Sequence, residues 1–394
     1  MGGKGGHDAR AMARQAMQSL RDGNAAAARA AFEALAAAGA DDASACLGLA
    51  LACRALGDGE GALAAVDRAL GHEPRNLRAL VFKGDVLDFL GDRRAASSFY
   101  LAAVNQARAA GEIAADLRPD LARAQAACER FAGAIEEGVR QRIAGTGLVE
   151  GRPGARFRES LDILFGHRRP YFQQPRYYYF PGLPHVQFFE RASFPWMDRL
   201  EAATGAIREE LREVMEDASV FRPYVQGDPR RPRKEQDGLL DNPDWSAYYL
   251  WKNGEVVPEA AARCPATLAA LSEAPIPRIA NRSPSILFSQ LKAGARIPPH
   301  CGLVNTRLIC HLPLIVPGHC RFRVGNETRE WREGEAWAFD DTIEHEAWNG
   351  SASTRVILLF EIWRPELTAE ERAMVTALFE AVDASGADQP AWEI

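Results

Sequence analysis

At 394 residues the chain exceeds one ordinary hydrophobic core and predicts two domains. With 47% hydrophobic and 25% charged residues it reads as globular rather than disordered, and a net charge of −6 gives no reason to expect nucleic acid or an anionic membrane as partner. No apolar leader and no run of about 20 apolar residues occurs, and the seven cysteines form no CxxC pair, so a cytoplasmic protein with reduced thiols is expected.

Residues 8–143 are rich in Ala and nearly free of Pro, the composition of helix interiors. Turn-like glycines flanked by Asp recur at Gly23, Gly57 and Gly91, 34 residues apart. Small residues follow in register (Ala28, Ala62, Ala96), then larger ones (Phe32, Val66, Tyr100). Small side chains let paired helices approach, and each larger one fills the next interface. This period resembles the tetratricopeptide repeat (TPR), with Pro74 where such a repeat ends. An all-α repeat domain over 8–143 is therefore expected. Two roles stay open for it: a concave surface for a protein or peptide partner, and a dimerising or stabilising cap. Helix continues from Gly111 to Ala144.

Beyond Arg152 the grammar changes to Pro, Tyr, Phe and Trp, with apolar residues in alternation, and a second domain is expected over 152–394. PRYYYFPGLPHVQFF reads as irregular and core-forming, WMDRLEAATGAIREELREVM as helix, and DNPDWSAYYLWKNG as a turn into a strand. Further strands are predicted over 285–291, 306–316, 335–339 and 355–363, with a hairpin about Gly325-Asn326. In 306–316, Arg307, Ile309 and His311 share one face and Leu308, Cys310, Leu312 and Leu314 the other. The sum is an α+β chain: helical repeats, then a jelly-roll or double-stranded β-helix.

On those strands stand His300, after Pro298-Pro299, and His345, after Asp340-Asp341. Two imidazoles at strand ends can converge on a metal, and neutral imidazole suits iron(II). Arg355 opens the apolar strand RVILLFEIW; a permanent charge there needs an anion, either a ligand carboxylate or Glu361 on the same face. Asp340, Asp341 and Glu344 read as loop-shaping, and Cys301 as an inert thiol.

The runs HCGLVNTRLICHLPLIVP, VGNETREWREGEAWAFDDTIEHEAWN and STRVILLFEIWRPELT, with FPW and DWSAYYLW upstream, resemble the aspartyl/asparaginyl β-hydroxylases. That resemblance implies iron(II) held by His300 and His345, with O2 and 2-oxoglutarate as co-substrates. It implies Ser289 and Arg355 on the far carboxylate of 2-oxoglutarate, His311 and Trp245 on the near part of its pocket, and Arg307 on a substrate carboxylate. Gly302, where wider relatives carry a third, carboxylate ligand, agrees with this family's two-histidine pattern. Ile309 departs from it, since relatives often carry Arg there.

The function expected is β-hydroxylation of an Asp or Asn side chain in a peptide or protein, releasing succinate and CO2. A lipid or small-molecule substrate, and a non-catalytic scaffold with a degenerate oxoacid-binding barrel, remain the alternatives. Neither nucleic acid nor membrane is expected as partner.

Overall fold

The computed structural model describes residues 3–147, 151–227 and 238–385. The chain divides into two compact units, Met1–Phe165 and Gly166–Ile394.

The first unit is a row of helices: α1 (Gly3–Arg21), α2 (Ala25–Ala37), α3 (Ala43–Ala55), α4 (Gly59–His72), α5 (Leu77–Phe89), α6 (Arg93–Ala110), α7 (Arg118–Ala144) and α8 (Gly151–Leu164). Helices α1 to α7 each pack on the next in sequence. Gly23, Gly57 and Gly91 take positive φ between paired helices, a conformation that a Cβ disfavours. Each following helix starts on an Asn or Asp whose side chain accepts a backbone N–H of the first turn: Asn24, Asp58 and Asp92, again 34 apart, with Asp42 and Asn76 capping the alternate helices. Ala28, Ala62 and Ala96 are fully buried, and the Phe32 ring fills the space left by Gly48, where a Cβ would lie 2.3 Å from its Cζ. The repeat is thus built from turn, cap and plug at one period. Helix α8, which the expected boundary at 152 assigns to the second domain, lies in the first unit.

The second unit begins with irregular chain, in which Tyr177 and Tyr178 pack in a core cluster, as expected of that aromatic run. The stretch predicted as one helix is two, α9 (Met197–Ala202) and α10 (Thr204–Met215). The Thr204 hydroxyl donates to the Glu201 carbonyl at 2.6 Å, a side-chain bond that competes with the backbone ladder at the break.

Eleven strands follow among the described residues: β1 (Arg222–Pro223), β2 (Trp245–Lys252), β3 (Glu255–Val256), β4 (Ile286–Leu291), β5 (Arg296–His300), β6 (Arg307–Ile315), β7 (Cys320–Val324), β8 (Glu327–Glu330), β9 (Trp337–Phe339), β10 (His345–Asn349) and β11 (Arg355–Trp363). Short helices α11 (Pro258–Arg263) and α12 (Pro265–Ala270) follow β3, and α13 (Ala369–Ala384) closes the unit. One antiparallel sheet runs β1-β2-β4-β11-β6-β9 with β3 on β2, and the other runs β5-β10-β7-β8. Leu308, Cys310, Leu312 and Leu314 of β6 pack under α9 and α10, whereas Ile309 faces Leu287, Ile297, Phe322 and Ala347 in the core between the sheets. The two faces of the predicted alternation therefore meet two different cores.

Strand β5 was not predicted, because Pro298-Pro299 reads as a turn. It is tolerated because β5 edges its sheet, where a missing N–H breaks no inner ladder. Behind α13, Arg282 is buried on Asp383 and under the Phe379 ring, fixing the helix to the unit.

A candidate active site between the two sheets

His300 ends β5 and His345 opens β10, and the two are paired residues of adjacent strands. Register alone brings them together, and their ring centroids lie 4.1 Å apart. His300 Nδ1 is 2.8 Å from the Pro298 carbonyl and His345 Nδ1 is 3.0 Å from the Ile343 carbonyl. A carbonyl can only accept, so both rings donate from Nδ1 and keep an unprotonated Nε2. Burial holds both histidines in the neutral form, depressing His300 to about 4 and His345 well below its ordinary value. Two adjacent neutral imidazoles whose Nδ1 atoms are committed to carbonyls are of the type that can ligate a metal through Nε2.

One cavity is lined by both histidines together with Trp245, Ser289, Ile309, His311, Asp341 and Arg355, so six of the seven predicted site residues share a wall. Pairing explains the grouping. Trp245 and Arg355 both lie opposite Leu291 of β4, and Ser289 lies two residues along the same strand. Trp245 Nε1 donates to Ser289 Oγ at 3.2 Å, leaving the hydroxyl hydrogen free to turn elsewhere. The cavity is tight, about 30 Å³, room for a water or two, so an incoming ligand must move side chains of its apolar wall.

Arg355 is fully buried, and neither its Nε nor its Nη1 has a hydrogen-bond partner. Its guanidinium lies 4.6 Å from the Trp331 ring centroid, and burial lowers its pKa to about 10, which leaves it charged at neutral pH. Glu361, the internal acid that could have neutralised it, instead accepts from Arg307 and from the Ser285 N–H at 2.8 Å. His311 Nδ1 and Trp331 Nε1 on the same wall also lack partners. The cavity therefore gathers unpartnered donors and a cation on the side of Arg355, at a cost that a bound anion would offset, with the Asp341 carboxylate also on its wall.

Arg307 is the predicted site residue outside this lining. It is buried behind the wall, held by Glu361 and 3.6 Å from Asp341. Asp341, read from sequence as loop-shaping, also lines the cavity. Its carboxylate lies against Gly302, where a Cβ would stand 2.0 Å from Asp341 Oδ2. Position 302 thus admits no side chain, and a carboxylate from the loop before β10 fills that place. Neither oxygen of Asp341 is hydrogen-bonded, and burial pushes its carboxyl up to about 7. The available signal was an acid four residues before a ligand-like histidine, which is too common to single out.

A second grouping, Asp41, Cys46 and His72, lies in the repeats. Arg68 already engages that aspartate, and burial raises Cys46 to about 11, so it remains a thiol. It is a hydrogen-bonded cluster of the repeat.

Residues 201–365 match the sequence profile of the aspartyl/asparaginyl beta-hydroxylase family. The chain is 37% identical over 145 residues to the aspartyl/asparaginyl beta-hydroxylase of Mus musculus, an alignment covering 36% of this chain and 19% of that protein. It is 32% identical over 180 residues to the ornithine lipid ester-linked acyl 2-hydroxylase of Rhizobium tropici, covering 45% and 60%. The chain thus spans about a fifth of the mouse protein. Among solved structures, the type III secretion translocator chaperone SycD of Yersinia enterocolitica aligns at 18% identity and a TM-score of 0.30, covering 32% of this chain and 85% of that one. No helix among the described residues is long and apolar enough to cross a membrane.

Proposed function

We propose that the protein is an iron(II)- and 2-oxoglutarate-dependent dioxygenase that hydroxylates the β-carbon of an Asp or Asn side chain in a peptide or protein. The observation that carries this is the buried Arg355 guanidinium, its Nε and Nη1 without partners, sharing a cavity with two histidines whose Nδ1 atoms are committed to main-chain carbonyls. An always-charged group is stable there only with an anionic ligand, and a dicarboxylic oxoacid has one carboxylate for the arginine and another for a metal.

In this reading His300 and His345 hold the metal through Nε2, with tautomers fixed by main-chain carbonyls. Arg355 and the Ser289 hydroxyl take the far carboxylate, and Trp245 aims that hydroxyl by donating to its oxygen. His311 donates from the apolar wall. Iron(II) with O2 supplies the oxidising power: one oxygen atom converts C–H to C–OH and the other leaves in succinate as 2-oxoglutarate loses CO2. Phe322, Trp331, Phe339 and Ile309 keep the space dry, and the residues hold the oxoacid before the second substrate arrives. Arg307 is assigned to the substrate carboxylate, which it can reach only by sharing the charge it gives to Glu361. Ile309 leaves Arg355 as the one arginine on the cavity wall among the described residues.

A second reading, an acyl-chain substrate, is favoured by the likeness to the lipid hydroxylase; the repeat unit favours the protein client.

The test is succinate formed from 2-oxoglutarate with iron(II) and ascorbate, comparing native protein with His345→Ala. Turnover lost in the variant supports the proposal, and a peptide product heavier by one oxygen assigns the substrate. Equal succinate from both proteins would sink it. Oxygen incorporation into an acyl lipid and into no peptide would replace the client.

A further inference from the structure

Two tryptophans line the cavity between the sheets, Trp245 and Trp331. An indole carries one donor, Nε1–H, and no acceptor, so a buried one left unmatched is costly. Trp245 spends its N–H on Ser289 Oγ, at 3.2 Å. Trp331 is only 4% exposed, and its Nε1 has no partner among the described residues.

Trp331 stands directly after β8, and its ring packs against Phe322 and Trp337, with centroids 5.4 and 6.1 Å away. The Arg355 guanidinium lies 4.6 Å from its centroid. A cation takes the face of an indole, whereas Nε1–H leaves through the edge, in the ring plane. An arginine and an anion can therefore use the same side chain at once.

A carboxylate offers about four acceptor sites. Arg355 brings Nε and Nη1, both without partners, and Ser289 brings its hydroxyl. One acceptor site of a far carboxylate is then left over, beside a wall of Ile309, Ile357 and Leu359 that has nothing to donate. Trp331 Nε1–H is the unspent donor next to Arg355. His311 is already assigned to the near part of the pocket. Trp337 Nε1 also lacks a partner, but Trp337 does not line the cavity.

We propose that Trp331 donates its Nε1–H to the far carboxylate of the oxoacid, completing a cradle with Arg355 and Ser289. This rests on the reading of the cavity as a 2-oxoglutarate site. One rigid side chain then holds both members of the ion pair, the guanidinium on its face and the carboxylate at its edge.

The experiment is calorimetric titration of 2-oxoglutarate into the full chain loaded with zinc(II), which binds imidazole and does not react with oxygen. Native protein is compared with Trp331→Phe and Trp337→Phe, and circular dichroism verifies folding. Phenylalanine keeps a ring face for Arg355 and removes the N–H. Trp331→Phe should bind 2-oxoglutarate about ten-fold more weakly, the weight of one hydrogen bond to a charged group, and Trp337→Phe should bind it as native does. A second readout is the indole N–H spectrum of nitrogen-15-labelled native protein, which has eight tryptophans. The signal missing from Trp331→Phe identifies the group, and Trp331→Met identifies it if the first variant does not fold. Its proton should move downfield as 2-oxoglutarate saturates the protein. Equal affinity in native protein and Trp331→Phe, an equal loss in Trp337→Phe, or a Trp331 signal that stays in place would overturn the inference and leave the oxoacid site standing. No binding of 2-oxoglutarate by native protein would overturn both.

Discussion

Arg355 and Asp341 are opposite charges with opposite problems. Arg355 is charged and buried, with Nε and Nη1 lacking hydrogen-bond partners, so its stability in the cavity depends on what binds beside it. Arg355→Ala should raise the 2-oxoglutarate requirement by about two orders of magnitude, the weight of a buried charge-assisted pair, with a smaller effect on kcat. Initial rates against 2-oxoglutarate read this directly, and an unchanged KM would return Arg355 to a structural role. Asp341 is a buried acid whose carboxyl titrates near 7 in the fold and in the ordinary carboxylate range when unfolded. The folded protein holds that proton more tightly. Its stabilising contribution is thus complete below the unfolded pKa and lost as pH rises through about 7. In metal-free protein, Asp341→Asn should gain stability over native between about pH 5 and about pH 8. Melting curves at both values would refute this by moving in parallel.

At the scale of elements, periodic features could be read from the sequence and pairings could not. The alternation in 306–316 sorted β6 onto its two cores, because a period of two maps directly onto two faces. The 34-residue glycine spacing located the helix pairs, because a positive φ is costly for other residues. Strand β5 was hidden, since its prolines signal a turn and only the sheet order reveals an edge that tolerates them. The partner of Glu361 was hidden for a related reason. Arg355 lies on the same face of the same strand, but Arg307, opposite Trp363 on the neighbouring strand, reaches Glu361 diagonally. The capping series gives a local test: Asp58→Ala should cost about 1 kcal/mol for the lost cap on Gly61. Chemical denaturation would measure it, and no change would mean that the turn glycine alone sets the start of α4.

At the scale of the molecule, each apolar cluster among the described residues lies wholly in one unit: two in the repeats and three beyond Gly166. Separate cores predict separate unfolding transitions. Iron(II) with 2-oxoglutarate, at about a hundred times its Kd, should stabilise the second unit alone by about 3 kcal/mol, or roughly 5–10 °C. Calorimetry with and without a chelator separates the cases. A single transition that moves as a whole would show that the repeats and the sandwich unfold as one body.

The prolines of β5 also restrict how a client can arrive. A bare strand edge is an invitation to main-chain pairing, and enclosing a polypeptide as one more strand is a common way to bind it. The outer side of β5 is a sheet edge, yet Pro298 and Pro299 offer no N–H, and a guest strand would find the ladder broken. Under the proposed function, a polypeptide client would then present a side chain to the two histidines of the cavity rather than pair along this edge. That mode of approach suits an enzyme that alters one residue and releases the chain.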